Sequence, residues 1–82
     1  MENLKKEIQN LVDIYHSGDL HNAEIMAKNL INKEPNIVFL HNLLGLIYVG
    51  LGKINIALKH YEKGLEIDPN FAMIYNNLGL IF

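Results

Sequence analysis

The sequence predicts an all-α fold of stacked antiparallel helix pairs, an α-solenoid, and three observations carry that prediction. Residues recur at a period of 34, apolar side chains recur at helical spacing within each copy, and glycine and proline fall at the joints. Sliding the 82-residue chain against itself by 34 positions puts Gly18 on Gly52, Ala23 on Ala57, Ile31 on Leu65, Pro35 on Pro69 and Asn36 on Asn70. A third copy then begins. Asn76 falls on Asn42, and Leu78, Gly79 and Phe82 fall on Leu44, Gly45 and Tyr48. A fixed period of this size marks an array of helix–turn–helix units, each too small to bury its own apolar face alone. The chain therefore reads as a single domain over 1–82, with repeats at approximately 4–37 and 38–71 and a partial one at 72–82.

Five helices follow in order. The first is expected over 3–16, where Ile8, Leu11, Val12 and Tyr15 share one face. Gly18-Asp19 ends it, because glycine takes the positive φ of a helix stop without a steric penalty. The second is expected over 20–33, with Leu20, Ala23, Ala27, Leu30 and Ile31 on its apolar side. Pro35 marks the joint between pairs, and Asn36 is placed to cap the third helix, 37–50, through its side-chain oxygen. Gly52-Lys53 repeats the turn ahead of a fourth helix over 54–67, and Pro69-Asn70 repeats the joint and cap ahead of a fifth over 71–82. Gly64 lies inside the fourth helix, where glycine costs about 1 kcal/mol relative to alanine. It is expected at a close approach to the helix that begins near Phe71.

Composition narrows the function classes. With no cysteine there are no disulfides, thiolate metal sites or thiol nucleophiles. Seven basic residues scattered among nine acidic ones leave a formal charge of -2 and no basic stripe, which argues against nucleic acid. The N-terminus carries both charge signs and runs straight into helical periodicity, so no secretory signal is visible. The most apolar stretch, Ile37 to Leu51, is interrupted by His41 and Asn42 and is too short to cross a bilayer. A cytoplasmic protein without membrane contact is expected. Among the four histidines, His16 and His21 lie nearest one another across a turn, but no histidine pair has metal-ligand spacing, so no metal site is assigned. Ser17 is the one serine and has no base and acid arranged around it, and the glycines form no phosphate loop. Neither enzymatic activity nor a cofactor is expected.

The second copy reads His41-x-x-Leu44-Gly45-x-x-Tyr48, then Gly52, Ala57, Tyr61, Gly64-Leu65 and Asp68-Pro69-Asn70, and it resembles the tetratricopeptide repeat family. That resemblance covers essentially the whole chain. It implies that Gly45 faces Ala57 within the pair, and that His41 packs its ring between helices while one nitrogen finds an acceptor. The first copy departs from the pattern, with bulky Leu11 at the place of Gly45 and small Ala27 at the place of Tyr61, an apparent exchange of volume within one packing layer.

The resemblance also implies a function: a scaffold that binds a protein or peptide in the concave groove lined by the first helix of each pair. The groove positions would be Ile8, Val12, Tyr15, Phe39, Asn42, Leu43, Leu46, Val49, Met73, Asn76, Asn77 and Leu80. Asn42 and Asn76 stand one period apart, and each amide offers a donor and an acceptor to a peptide backbone. Family members that grip an acidic C-terminus use a cation-bearing clamp. The matching positions here are Ile8, Val12, Leu43, Met73 and Asn77, which include no charge, so that ligand is not expected. Two other readings stand beside the scaffold. The run Ala23-Glu24-x-x-Ala27-x-x-Leu30, followed by Asn42-Leu43-Leu44-Gly45, resembles the opening repeats of bacterial proteins that continue into sulfotransferase or glycosyltransferase domains, which would make these repeats the recruiting segment of a larger enzyme. Self-assembly is the other: the last helix would leave Leu78, Gly79 and Phe82 open to a second copy in a homodimer.

Overall fold

The computed structural model describes residues 2–82. Its helices are α1 (Glu2–His16), α2 (Leu20–Lys33), α3 (Val38–Gly50), α4 (Ile54–Ile67) and α5 (Ala72–Ile81), and no strand occurs among the described residues. Each boundary lies within one residue of the expected one.

The turns inside the pairs form as their glycines require. Gly18 and Gly52 have φ of +88° and +78°, in the left-handed region. A Cβ at either would meet nothing within 4 Å, so backbone conformation and not lack of space selects glycine there. Asp19 caps α2: its Oδ1 accepts the backbone N–H of Asn22 at 3.4 Å, and its Oδ2 accepts the Asn22 side-chain amide at 2.7 Å. The joints between pairs differ from expectation. Asn36 and Asn70 cap neither α3 nor α5, whose N-cap residues are Ile37 and Phe71 in extended conformation with no side-chain bond. At the second joint the reason is visible. Asp68 accepts the Asn70 N–H at 3.0 Å, folding Pro69-Asn70 into a turn of its own and leaving Phe71 to enter the helix.

α3 is the central helix and touches α2, α4 and α5. Its residues Leu40, Leu43, Leu44, Ile47 and Tyr48 join Leu11, Ala23, Ala27, Leu30, Ala57, Tyr61 and Ile74 in one buried cluster. Fully burying a Leu or Ile side chain is worth about 1.5 to 3 kcal/mol, so each member matters in so thin a stack. Gly64 meets α5 as expected: a Cβ there would lie 2.5 Å from Ile74 Cδ1 and 3.5 Å from both Val38 Cγ2 and His41 Cβ. At Gly45 the nearest side chain is that of Tyr61. A Cβ on Gly45 would lie 2.7 Å from Tyr61 Cζ, because the long Tyr61 side chain crosses from α4 and lays its ring against the glycine. The first pair assigns bulk the other way, with Leu11 on α1 and Ala27 on α2 both fully buried.

His41 is 3% exposed, and its Nε2–H donates to the Pro35 carbonyl oxygen at 2.8 Å, which ties α3 back to the joint. The His60 ring stacks on it at 6.0 Å and on Tyr48 at 5.5 Å, so three rings line the seam between α3 and α4.

Candidate functional site: an uncharged groove over α1, α3 and α5

The first helices of successive pairs bring their apolar faces together around two adjoining cavities. The smaller, about 260 Å³, is lined by Val12, Tyr15 and His16 of α1, Phe39, Asn42, Leu43 and Leu46 of α3, and Met73 of α5. The larger, about 380 Å³, is lined by Leu46 and Val49 of α3, Tyr61 and Ile54 of α4, and Asn77, Leu80 and Ile81 of α5. Leu46 belongs to both and forms the ridge between them. Of the residues expected in the groove, Val12, Tyr15, Phe39, Asn42, Leu43, Leu46 and Met73 meet at the first cavity, Val49, Asn77 and Leu80 join Leu46 at the second, and Ile8 lines neither.

The two asparagines expected to act one period apart stand in different surroundings. Asn76 is exposed and lines neither cavity. Asn42 is only 1% exposed, and its Oδ1 accepts a hydrogen bond from Asn77 Nδ2 at 2.7 Å. The residue that reaches Asn42 thus lies 35 positions on, one beyond its equivalent, because contact across the α3–α5 seam joins facing residues and not equivalent ones. Burial of Asn42 is tolerated because its carbonyl oxygen is satisfied. Among the described residues no hydrogen bond engages Asn42 Nδ2 or Asn77 Oδ1, which leaves one donor group and one acceptor on the groove floor.

No lysine, aspartate or glutamate lines either cavity. The clamp positions Val12, Leu43 and Met73 share the smaller one without a lysine, and His16 at the end of α1 is the one basic side chain in its lining. Tyr61 is fully buried, and burial, helped by nearby Tyr15, pushes its hydroxyl up to about 12, so it stays a neutral donor. That hydroxyl has no hydrogen-bond partner among the described residues. Sequence reading missed Ile54 and Tyr61 because they come from α4, a second helix of its pair, while groove positions were sought on first helices alone. His16 and Ile81 were missed because they close the cavities from helix ends.

Other features lie outside the groove. Glu24 pairs with Lys28 at 3.4 Å, and its carboxyl is held low by the Tyr48 hydroxyl and by that lysine. On α5, Leu78 is half-buried against the core, Gly79 has open space where a Cβ would stand, and Leu80 and Phe82 are 84% and 89% exposed. Among the described residues no group of three or more His, Cys, Asp or Glu side chains comes together, and no helix is long and apolar enough to cross a membrane.

Comparison with known proteins agrees with this architecture. Residues 45–82 match the family model of the TPR repeat. The chain is 37% identical over 54 residues to the uncharacterized protein ycf37 of Pyropia yezoensis, covering 66% of this chain and 30% of that protein. It is 29% identical over 83 residues to the ycf37 protein of Guillardia theta, covering 94% of this chain and 47% of the relative. With tetratricopeptide repeat protein 17 of Homo sapiens it shares 32% identity over 72 residues, which is 87% of this chain and 6% of that protein. The chain thus spans less than half the length of each of these relatives. With a 34-residue period, stacked helix pairs and these matches, the chain belongs to the tetratricopeptide repeat family.

Proposed function

We propose that the chain is a protein-interaction scaffold whose groove holds an uncharged, apolar peptide segment of a partner protein. The observation that carries this reading is the pair of adjoining cavities, about 260 and 380 Å³, with no lysine, aspartate or glutamate in their lining. Burying apolar surface there yields about 25 cal/mol per Å², whereas a charged side chain would lose hydration and find no lysine, aspartate or glutamate to pair with. The unengaged Asn42 Nδ2 and Asn77 Oδ1 suit the main chain of such a segment, and no cofactor or catalysis enters. A cytoplasmic setting, away from nucleic acid and membranes, completes the proposal.

Selection from a random peptide library tests it. Enriched sequences should be rich in Leu, Ile, Phe and Met and poor in Asp and Glu. The substitution Met73→Glu, at a residue 48% exposed, should weaken the selected peptides at least about tenfold. Enrichment of acidic C-terminal peptides, or affinity indifferent to Met73→Glu, would overturn it. A second reading, homodimerisation through α5, is favoured by the exposure of Leu80 and Phe82 next to Leu78 and Gly79. Light scattering at tens of micromolar decides between a dimer dissolved by Leu78→Asp and a monomer, which ends that reading.

A further inference from the structure

We propose that the larger cavity is a recognition pocket for one aliphatic residue of the bound peptide, in which the Tyr61 hydroxyl donates a hydrogen bond to that residue's main-chain carbonyl oxygen. This rests on the peptide-binding reading of the groove and assigns Tyr61 a role within it.

The Tyr61 ring has a packing reason to be where it is, since it fills the space over Gly45. Its hydroxyl has none. Phenylalanine would fill the same volume, and a buried hydroxyl with no partner is a costly rarity in folded proteins. The side chain nevertheless lines a cavity of about 380 Å³ whose other walls include aliphatic Leu46, Val49, Ile54 and Leu80. Asn77 lines the same cavity, and its Oδ1 is an acceptor that nothing among the described residues engages. One unmet donor and one unmet acceptor within aliphatic walls complement a peptide group, which carries a C=O and an N–H and no charge, beside an aliphatic side chain. A charged residue is unsuited, because no lysine, aspartate or glutamate lines the pocket to pair with it. Leu80 is 84% exposed and Leu46 half-buried, so the cavity wall includes side chains free to give way to an entering residue.

The test uses the whole chain and N-acetyl-leucine N-methylamide, an uncharged residue with a peptide group on each side. Backbone amide shifts should move at Leu46, Val49 and Asn77 on titration, and the Cζ shift of Tyr61 should move with them as its hydroxyl gains an acceptor. Tyr61→Phe should weaken this binding roughly 3- to 10-fold, the worth of one hydrogen bond, while leaving the melting temperature equal or higher. A purely structural tyrosine would show the opposite split. Equal binding by Tyr61→Phe, a motionless Cζ shift, or probe binding confined to Val12 and Phe39 overturns the inference. None of those outcomes touches the groove reading, which stands or falls on the selected peptides and on Met73→Glu at the other cavity.

Discussion

The pair α1–α2 and the pair α3–α4 close the same layer with the bulk on opposite helices. In the first, Leu11 stands on the leading helix and Ala27 on the following one. In the second, Gly45 leads and Tyr61 follows, its ring lying on the glycine. All of these positions are buried, so the layer keeps its filling while the side that supplies it changes. The exchange also changes chemistry. Tyr61 carries a hydroxyl into the layer where the first pair has only carbon, and the His41–His60–Tyr48 stack has no counterpart at the matching Glu7, Met26 and Ile14. Repeats that look interchangeable in outline therefore differ in this layer, the first pair filling it with carbon and the second adding a hydroxyl and a stack of rings.

The largest effect is expected from forcing the second pair into the first pair's arrangement by halves. Gly45→Leu drives a side chain into the Tyr61 ring and should cost about 3 kcal/mol or more, at the upper end of overpacking. Tyr61→Ala alone should cost about 3 to 5 kcal/mol. The double variant recreates Leu opposite Ala, and denaturant midpoints should show it more stable than the sum of the singles by about 1 to 3 kcal/mol. Simple additivity would mean that the two pairs do not exchange volume. An intermediate effect is expected at Gly64, which separates α4 from Ile74: Gly64→Leu should lower stability by about 1 to 3 kcal/mol, measured by thermal unfolding, and a neutral result would contradict the α4–α5 contact.

The smallest effect is on pH and centres on His60 of the second pair. Burial, then the neighbouring His41 and Lys28, hold the His60 imidazole below its usual 6.5. The unfolded chain therefore binds the proton more readily, and stability is full above about 6.5 and lost as pH falls below it through the folded value. The Glu24 carboxyl, held below 4.5 first by the Tyr48 hydroxyl, adds a separate loss at lower pH. His60→Phe should flatten the first of these windows. Urea midpoints from about pH 7 to pH 5 check this, and an unchanged slope would remove His60 as its source.

Much of this architecture was legible because it depends on periodic and local signals. Helix ends follow Gly18, Gly52, Pro35 and Pro69, and the close approach at Gly64 follows from an unfavourable residue inside a helix. The groove's apolar members were legible for the same reason, since they recur on one face of α1, α3 and α5. What escaped depends on reach and offset. The sequence aligns Gly45 with Ala57, but it is the length of the Tyr61 side chain that brings its ring nearest to the glycine. Asn42 and Asn76 are equivalent by period, yet the bond forms with Asn77, one residue along, because a stacked helix presents its contact face at its own rotation. Asn70 is not the cap because it lies inside a turn held by the carboxylate and carbonyl of Asp68, and Phe71 takes the N-cap position.

The position of α3, touching α2, α4 and α5, has a consequence for how the groove moves. Its buried stretch is covered from three sides, so the amide protons there should exchange most slowly, while those of α1 and α5 exchange through openings of their own. Phe39, Asn42 and Leu46 thus form a floor that keeps its shape, and Tyr15 on α1 and Met73 and Leu80 on α5 form walls that breathe. A ligand would meet a fixed template below and adjustable sides, and its arrival should slow exchange in α1 and α5 far more than in α3.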